Sequence, residues 1–190
     1  MITIWLRELS THNNGYSLDK KFDLDDYSSS GDILEELFTY TKEKIEEMDP
    51  ENIDYYNMEE WMITDYEFED STLHFKIAEN ESITKLLEIN ETFNDLDSDS
   101  RIKYTALMEK GFGHEQVLDK FDDCIVYSVE SSSSAMSDLA YDFVEEGLFG
   151  EIADNIKMYI DYEKIGRDLE MNGSFEHVEH EGNSYLVEIN

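Results

Sequence analysis

One run in the 190-residue sequence has the residue types and spacing of a metal site. Asp95-Leu-Asp-Ser-Asp99 begins with the alternating oxygens of a calcium-binding loop. The sixth position of that loop is Ser100 instead of glycine, and the twelfth is Ala106 instead of glutamate. These departures remove the sharp turn and the bidentate ligand, so we do not predict calcium binding.

Three other residues have side chains that can bind metals or act as nucleophiles. His177 and His180 lie in an alternating segment, where they would point to opposite faces of a strand, so we interpret them as an exposed polar edge. Cys124 is the single cysteine and lies in an apolar run, where a thiol is usually a small buried hydrophobe. We therefore predict no catalytic residue, no metal ligand and no cofactor.

Charge is the strongest feature of the sequence. There are 47 Asp and Glu against 14 Lys and Arg, which gives a net charge of −33 at pH 7. Residues 25–70 contain seventeen acids and two bases, and residues 121–190 contain seventeen acids and three bases. A field of this sign repels nucleic acid and anionic membranes, so we expect the protein to bind neither directly.

The apolar content is high enough for a folded protein. Apolar residues make up 40% of the chain and aromatic residues 13%, which is sufficient to bury cores. The N-terminus has no basic region followed by a long apolar run, and no segment approaches the roughly 18 apolar residues that cross a bilayer. We expect a soluble protein of the bacterial cytoplasm.

The N-terminal part alternates between strand and helix patterns. Ile2–Leu6 and Tyr16–Leu24 are predicted strands joined by a turn at His12–Gly15, and Trp61–Glu69 is a third strand that could join them. Between them, Asp32 is a plausible N-cap for a helix with one apolar face. That face consists of Ile33, Leu34, Leu37, Phe38 and Ile45.

The rest of the chain is first helical and then mixed. Residues 81–123 have helical periodicity throughout, and Cys124–Val129 is a predicted strand. A helix with Tyr162, Ile165 and Leu169 on its inner face ends at Gly173, and a hairpin follows around Gly182-Asn183. We predict an α+β protein of three small domains: an α+β domain at 1–70, a helical domain at 71–123 and an α+β domain at 124–190.

A retained charge of −33 needs an explanation, because self-repulsion destabilises a compact chain. Duplex DNA has about one negative charge per 1.7 Å, so this charge corresponds to roughly 55 Å of duplex. Acids that replace phosphates would compete for the basic groove of a DNA-binding enzyme. Three alternatives remain: adaptation to high salt, an acidic module that binds a basic partner or another host-defence nuclease, and a metal-dependent hydrolase with clustered acids.

Two motifs resemble the ArdA family of antirestriction proteins. They are Glu59-Glu-Trp-Met-Ile-Thr-Asp-Tyr-Glu67, and the distal run from Leu139 through Tyr159-Ile-Asp-Tyr-Glu-Lys-Ile-Gly-Arg-Asp-Leu169. The resemblance implies an elongated mimic of B-form DNA, encoded by a phage or mobile element, that dimerises through its C-terminal domain. The implied partner is the DNA-binding part of type I restriction-modification enzymes, whose restriction and, to a varying degree, modification it inhibits.

The resemblance implies one surface, and the distribution of acids in the sequence leads us to a second. The family's antirestriction motif maps onto Leu148–Asp161 and is associated with the dimer contact, so it implies an interface at Leu148, Phe149, Ile152, Ile156, Met158, Tyr159 and Ile160. We call Leu148–Ile160 the apolar segment. We assign the mimicry to acids of the two charged blocks and call them the acidic surface: Asp25, Asp26, Glu35, Glu36, Glu43, Glu46, Glu47, Glu59, Glu60, Glu69, Asp70, Glu145, Glu146, Glu151, Asp154, Glu163 and Glu170.

Overall fold

The computed structural model describes residues 2–131 and 133–190, which form two compact units, each with its own antiparallel sheet. The first unit comprises Met1–Asp70 and Phe75–Asp95, and the second comprises Ser71–His74 and Leu96–Asn190. The combination of helices and antiparallel sheets confirms the predicted α+β class. No helix among the described residues is long and apolar enough to span a bilayer.

The sheet of the first unit has strand β1 (Ile2–Glu8) at its centre. β2 (Asp19–Asp23) and β3 (Trp61–Phe68) pair with it on either side, both antiparallel. Successive side chains of a strand point to opposite faces, and β1 turns its alternate apolar residues into the core. These are Ile2, Ile4 and Leu6, and all three are fully buried. The prediction that the third strand joins the first two is therefore confirmed.

The connection between β1 and β2 contains a short helix instead of a simple turn. Helix α1 (Leu9–Asn13) begins after Glu8, whose buried carboxylate accepts hydrogen bonds from the backbone N–H of Ser10 at 2.9 Å and Thr11 at 2.7 Å. These bonds satisfy N–H groups that a helix start leaves without a partner. The chain consequently returns to the sheet only at Asp19, so β2 is shorter than predicted.

Two longer helices complete the first unit. They are α2 (Ser30–Met48) and α3 (Ile83–Asp95), and short 3₁₀ turns lie at Leu24–Asp26 and Pro50–Tyr55. The predicted N-cap at Asp32 is wrong. Ser29 has the extended backbone of an N-cap and its hydroxyl accepts a hydrogen bond from the Asp32 N–H at 3.2 Å, while Asp32 lies in the first turn.

The second unit has a three-stranded sheet with helices on both faces. Strand β6 (Asn183–Ile189) lies between β4 (Cys124–Val129) and β5 (Phe175–His180), and both pairings are antiparallel. Helix α4 (Ser98–Glu109) packs against one face, and α6 (Ala135–Glu145) packs on the other against Leu186 of β6. Two short helical segments follow α4, namely α5 (His114–Val117) and a 3₁₀ turn at Leu118–Asp123.

The C-terminal part of the second unit contains α7 (Asp154–Lys157) and α8 (Tyr162–Met171). The Asp161 carboxylate caps α8 by accepting the Lys164 N–H at 3.0 Å, and Gly173 follows the helix with a φ of +69°, as the sequence predicted. The hairpin turn lies one residue earlier than predicted. Glu181 and Gly182 both have positive φ, and Asn183 already belongs to β6.

Candidate functional site

The side chains of the acidic surface lie almost entirely in solvent. All of its residues are exposed except Asp70, which is half-buried. On α2 the acids and the apolar stripe occupy opposite sides of the helix, because the buried positions recur at every fourth residue. The buried positions are Ile33, Leu37, Thr41 and Ile45, while Leu34 and Phe38 of the predicted apolar face are half-buried. The structure brings together on the outer side Glu35, Glu36, Glu43, Glu46 and Glu47.

Basic residues of the same chain neutralise part of this surface. Lys20 pairs with Glu36 at 2.9 Å, and Lys44 pairs with Glu47 at 2.9 Å. The hydrogen bond from Lys20, followed by one from the Tyr27 hydroxyl, holds the pKa of Glu36 below its usual value. Glu36 and Glu47 are therefore partly neutralised, unlike the acids of α2 for which no lysine partner is observed among the described residues.

The acids of the second unit form two local groups. Lys157 bridges Glu145 at 2.9 Å and Asp154 at 3.8 Å, which ties the end of α6 to α7. On α8, Glu163 and Glu170 are two turns apart on one side, with Arg167 between them at the edge of a shallow pocket. A base thus lies within the acidic row of α8, which has three acids and two bases, whereas α2 has six acids and two lysines.

The apolar segment is exposed to an unusual degree. Eleven large apolar side chains are strongly exposed among the described residues, and five of them fall within this segment. Single exposed apolar residues are normal, but their concentration in one short stretch is typical of an interaction site. The five are Leu148, Phe149, Ile156, Met158 and Tyr159, with exposed fractions of 49% to 80%, while Ile152 and Ile160 are half-buried.

The apolar segment is nevertheless held in place by its own unit. The Leu148 N–H donates to the Phe143 carbonyl at 2.9 Å, and the ring of Phe149 contacts the ring of Phe143 with centroids 6.2 Å apart. At the other end, the Tyr162 hydroxyl donates to the Lys157 carbonyl at 3.5 Å. The exposed side chains are therefore attached to an anchored backbone, which reduces the ordering cost of binding a partner.

The run of alternating oxygens at Asp95–Asp99 has structural roles. Asp97 caps α4 by accepting the Ser100 N–H at 2.9 Å, and this hydrogen bond lowers the pKa of its carboxyl. Asp99 pairs with Lys103 at 3.2 Å, one helical turn further on. No group of three or more His, Cys, Asp or Glu side chains in the described residues is arranged to hold a metal ion.

The interpretation of the two histidines as an exposed polar edge is wrong, because His180 is buried and His177 is half-buried. They do lie on opposite faces of β5, but His180 is only 2% exposed and its ring bridges two hydroxyls. Its Nδ1 lies 2.6 Å from Oγ1 of Thr72, and its Nε2 lies 2.5 Å from Oγ of Ser98. Val178, two residues earlier on the same face and fully buried, was the signal that could have revealed this.

The thiol of Cys124 is buried, as its apolar neighbours predicted. Its Sγ donates to the Lys120 carbonyl at 3.5 Å, and burial raises the pKa of the thiol. A raised pKa keeps the thiol protonated and therefore poorly nucleophilic.

Fold and surface together define a class: a strongly acidic α+β protein whose distinctive residues are exposed carboxylates and an anchored apolar segment. The family model of the antirestriction protein ArdA matches residues 4–183. The chain therefore belongs to the ArdA family of antirestriction proteins, and the predicted resemblance is confirmed over nearly its whole length. The comparison with curated proteins gave no match.

Proposed function

We propose that this antirestriction protein occupies the DNA-binding groove of type I restriction-modification enzymes by presenting its acidic surface in place of DNA phosphates. The observation that carries the proposal is the exposure of that surface: the assigned acids other than Asp70 are exposed, and on α2 they lie opposite the residues that are buried in the core. Basic side chains that neutralise phosphates would find carboxylates at fixed positions, and each such contact would strengthen binding at low salt.

Helix α2 contributes only part of the required charge density. Its nineteen residues include six acids and two lysines, a net charge of −4 along about 28 Å of helix. That is about one charge per 7 Å, against one per 1.7 Å for duplex DNA. Mimicry must therefore be distributed over several elements, and we expect single neutralised acids to have small effects on inhibition.

The same proposal assigns the apolar segment to a homodimer contact. A second copy would cover the exposed side chains of this segment, and association of two copies would double the length of DNA that the acids can imitate. Met158 and Tyr159 are the most exposed members, at 76% and 80%, so they would lose the most water-accessible surface.

The experiment is a competition between this protein and labelled duplex for a purified type I restriction complex. We expect DNA to be displaced at low salt and progressively less as salt rises, and we expect cleavage, and methylation where it uses the same groove, to decrease together. Persistent DNA binding in the presence of excess inhibitor at low salt would overturn the proposal.

Matched variants separate a specific surface from simple net charge. The triple variant Glu35→Gln, Glu43→Gln, Glu46→Gln removes three charges from the outer side of α2. The control Glu115→Gln, Asp119→Asn, Glu130→Gln removes three exposed charges that are not assigned to the acidic surface. We expect the first variant to weaken inhibition more than the second. Equal effects would show that only the total charge matters.

A further inference from the structure

A small tyrosine-lined pocket in the first unit is used by neither surface described above. Its volume is about 250 Å³, and it is lined by Asn14, Tyr16, Asp49, Asn52, Tyr55 and Tyr56. Pockets that hold drug-sized ligands measure roughly 300–1,000 Å³. This pocket is therefore matched in size to a single side chain or a small organic ion.

The carboxylate of Asp49 is fixed in this pocket by three donors. The hydroxyls of Tyr16 and Tyr56 donate to Oδ2 at 3.2 and 3.1 Å, and Nδ2 of Asn52 donates to Oδ1 at 2.8 Å. Each carboxylate oxygen can accept about two hydrogen bonds. Oδ1 accepts one, from Asn52, so it can accept one more. Burial and the hydrogen bond to Asp49 raise the pKa of Tyr56 to about 12, so its phenol remains a donor at neutral pH.

Aromatic rings surround this carboxylate. The rings of Tyr16 and Tyr56 meet edge to face, with centroids 6.2 Å apart and an interplanar angle of 77°. Tyr55 is 78% exposed, and within the described residues neither a hydrogen bond of its hydroxyl nor a contact of its ring with another ring is observed. An exposed aromatic side chain that lines the same pocket as an anion is suited to a cation, because the face of an aromatic ring is electronegative.

Several lysines of the protein lie over aromatic rings outside this pocket. Among the described residues, lysines lie over other rings at 4.8 to 5.7 Å, namely Lys20 over Phe22 and Tyr40, Lys21 over Trp5, and Lys120 over Phe112. Within the residues that the structure describes, no lysine or arginine is observed in an ion pair with Asp49 or over the ring of Tyr55. The nearby acids Glu51 and Asp54 are also exposed, so the potential around the pocket is negative.

We propose that the pocket binds the guanidinium group of an arginine side chain from a basic protein surface. A guanidinium is planar, stacks on a tyrosine ring and donates in its plane to a carboxylate, whereas an ammonium acts as a compact, strongly hydrated charge. The tyrosine face and the free acceptor on Asp49 match both properties of arginine. This inference rests on the proposed function only for the identity of the partner, since a type I restriction enzyme would supply the arginine.

The test is a titration of the full-length protein with the peptide acetyl-Gly-Arg-Gly-amide, followed by NMR of the tyrosine rings. We expect saturable shifts at Tyr55 and Tyr56, and weaker binding of the corresponding lysine peptide and of tetramethylammonium. Equal or tighter binding of either of these two probes would overturn the assignment to arginine. The absence of any saturable shift would overturn the pocket itself.

Variants of Tyr55 and Asp49 test which groups bind the arginine peptide. Tyr55→Ala should weaken binding of the arginine peptide about tenfold, and Tyr55→Phe should retain it within about twofold, because the ring and not the hydroxyl provides the contact. Asp49→Asn should weaken binding about tenfold, while the control Glu51→Gln, with the same change of charge, should change it by less than about twofold. Unchanged binding in Tyr55→Ala, or an equal loss in Asp49→Asn and Glu51→Gln, would contradict the proposal.

A failure of the arginine pocket can be distinguished from a failure of the proposed function. The peptide titration contains no restriction enzyme, so a protein that binds arginine but does not displace DNA would refute the proposed function alone. A protein that displaces DNA but does not bind the peptide would refute the arginine pocket alone. Tyr55 is largely exposed, so loss of binding in Tyr55→Ala would not arise from unfolding.

Discussion

Gly166 of α8 lies directly against the backbone of Met136 on α6. A Cβ atom at position 166 would be 2.8 Å from the carbonyl carbon and from the oxygen of Met136, closer than such atoms approach in proteins. Gly166 is also buried. The two helices therefore pack closely only because this position, within the distal family motif, has no side chain.

We predict that Gly166→Ala destabilises the protein by about 1–3 kcal/mol, because the backbone of Met136 cannot move aside as a flexible side chain would. The higher helix propensity of alanine offsets up to about 1 kcal/mol of this. The control is Gly31→Ala in α2, where the nearest atom is the Ser29 hydroxyl at 3.5 Å. Urea unfolding measures both, and equal stability of the two variants would contradict the steric argument.

The two hydroxyls that contact His180 should differ in importance. Thr72 is fully buried, so Thr72→Val leaves one ring nitrogen of His180 without a partner and should cost about 1–3 kcal/mol. Ser98 is exposed, so water can replace its hydroxyl in Ser98→Ala and the loss should be smaller. Thermal unfolding of both variants tests this order, and a larger loss in Ser98→Ala would contradict it.

Acid should remove a stabilising contribution from Asp19. Hydrogen bonds from Arg7, at 2.9 and 2.6 Å, hold the pKa of this carboxyl below its usual value, against the opposing effect of burial, and the Thr64 hydroxyl adds a third bond. The folded state therefore binds this proton less readily than the unfolded chain. The contribution is complete above the unfolded pKa of about 3.9 and is lost as the pH falls through the lower folded value.

The measurement for Asp19 is urea stability from pH 7 to pH 2 for the wild type and Asp19→Asn. The remaining carboxylates titrate in both proteins, so the difference between the two curves isolates Asp19. We expect the wild type to be more stable near neutral pH and the curves to converge below about pH 4. A constant difference down to pH 2 would argue against the depressed pKa.

Added salt should raise the stability of the folded protein and weaken its inhibition of the restriction enzyme. Added salt shortens the screening length from about 10 Å at 0.1 M to about 3 Å at 1 M, which weakens the self-repulsion of a chain with net charge −33. The melting temperature should therefore rise with sodium chloride, while inhibition of the restriction enzyme should fall. Calorimetry and the DNA competition assay over the same salt series test this pair of trends. A melting temperature that decreases with salt would refute the first one.

The apolar segment should control oligomeric state. We predict that the double variant Met158→Ser, Tyr159→Ser shifts the proposed dimer toward monomer, because both side chains are mostly exposed in the single chain. Met171→Ser is the matched control, since Met171 is 84% exposed but lies outside the segment. Sedimentation equilibrium measures the change. The same shift in both variants, or in neither, would contradict the assignment.

Periodicity predicted most of the secondary structure because local patterns determine it. The strands at the start of the chain, the apolar stripe of α2, the helical region after residue 81 and the final hairpin are all found near their predicted positions. Errors occurred where a side chain redirected the backbone: Glu8 caps an unforeseen helix, and Ser29 caps α2 in place of Asp32. The division into domains at residues 70 and 123 stays a prediction.

Contacts between distant residues could not be read from the sequence. Asn90 accepts a hydrogen bond from the Ile2 N–H at 2.8 Å and donates to Asp25 at 2.7 Å, which joins three separate segments of the first unit. The tyrosine-lined pocket likewise depends on a contact between Tyr16 and Asp49, which are 33 positions apart in the sequence. The exposure of the acids was predictable from composition, whereas their partial neutralisation by lysines such as Lys20 depended on the fold.

The assignment of residues 71–74 to the second unit limits where the chain can be cut into stable fragments. These four residues belong to the second unit, while the residues on either side of them, up to Asp95, belong to the first. A fragment that begins at Leu96 would lack Thr72 and leave the His180 ring short of a hydroxyl, and one that stops at Asp70 would lack α3. Neither half can be excised as one uninterrupted piece, so recombination between relatives within this stretch would tend to yield unstable chimaeras.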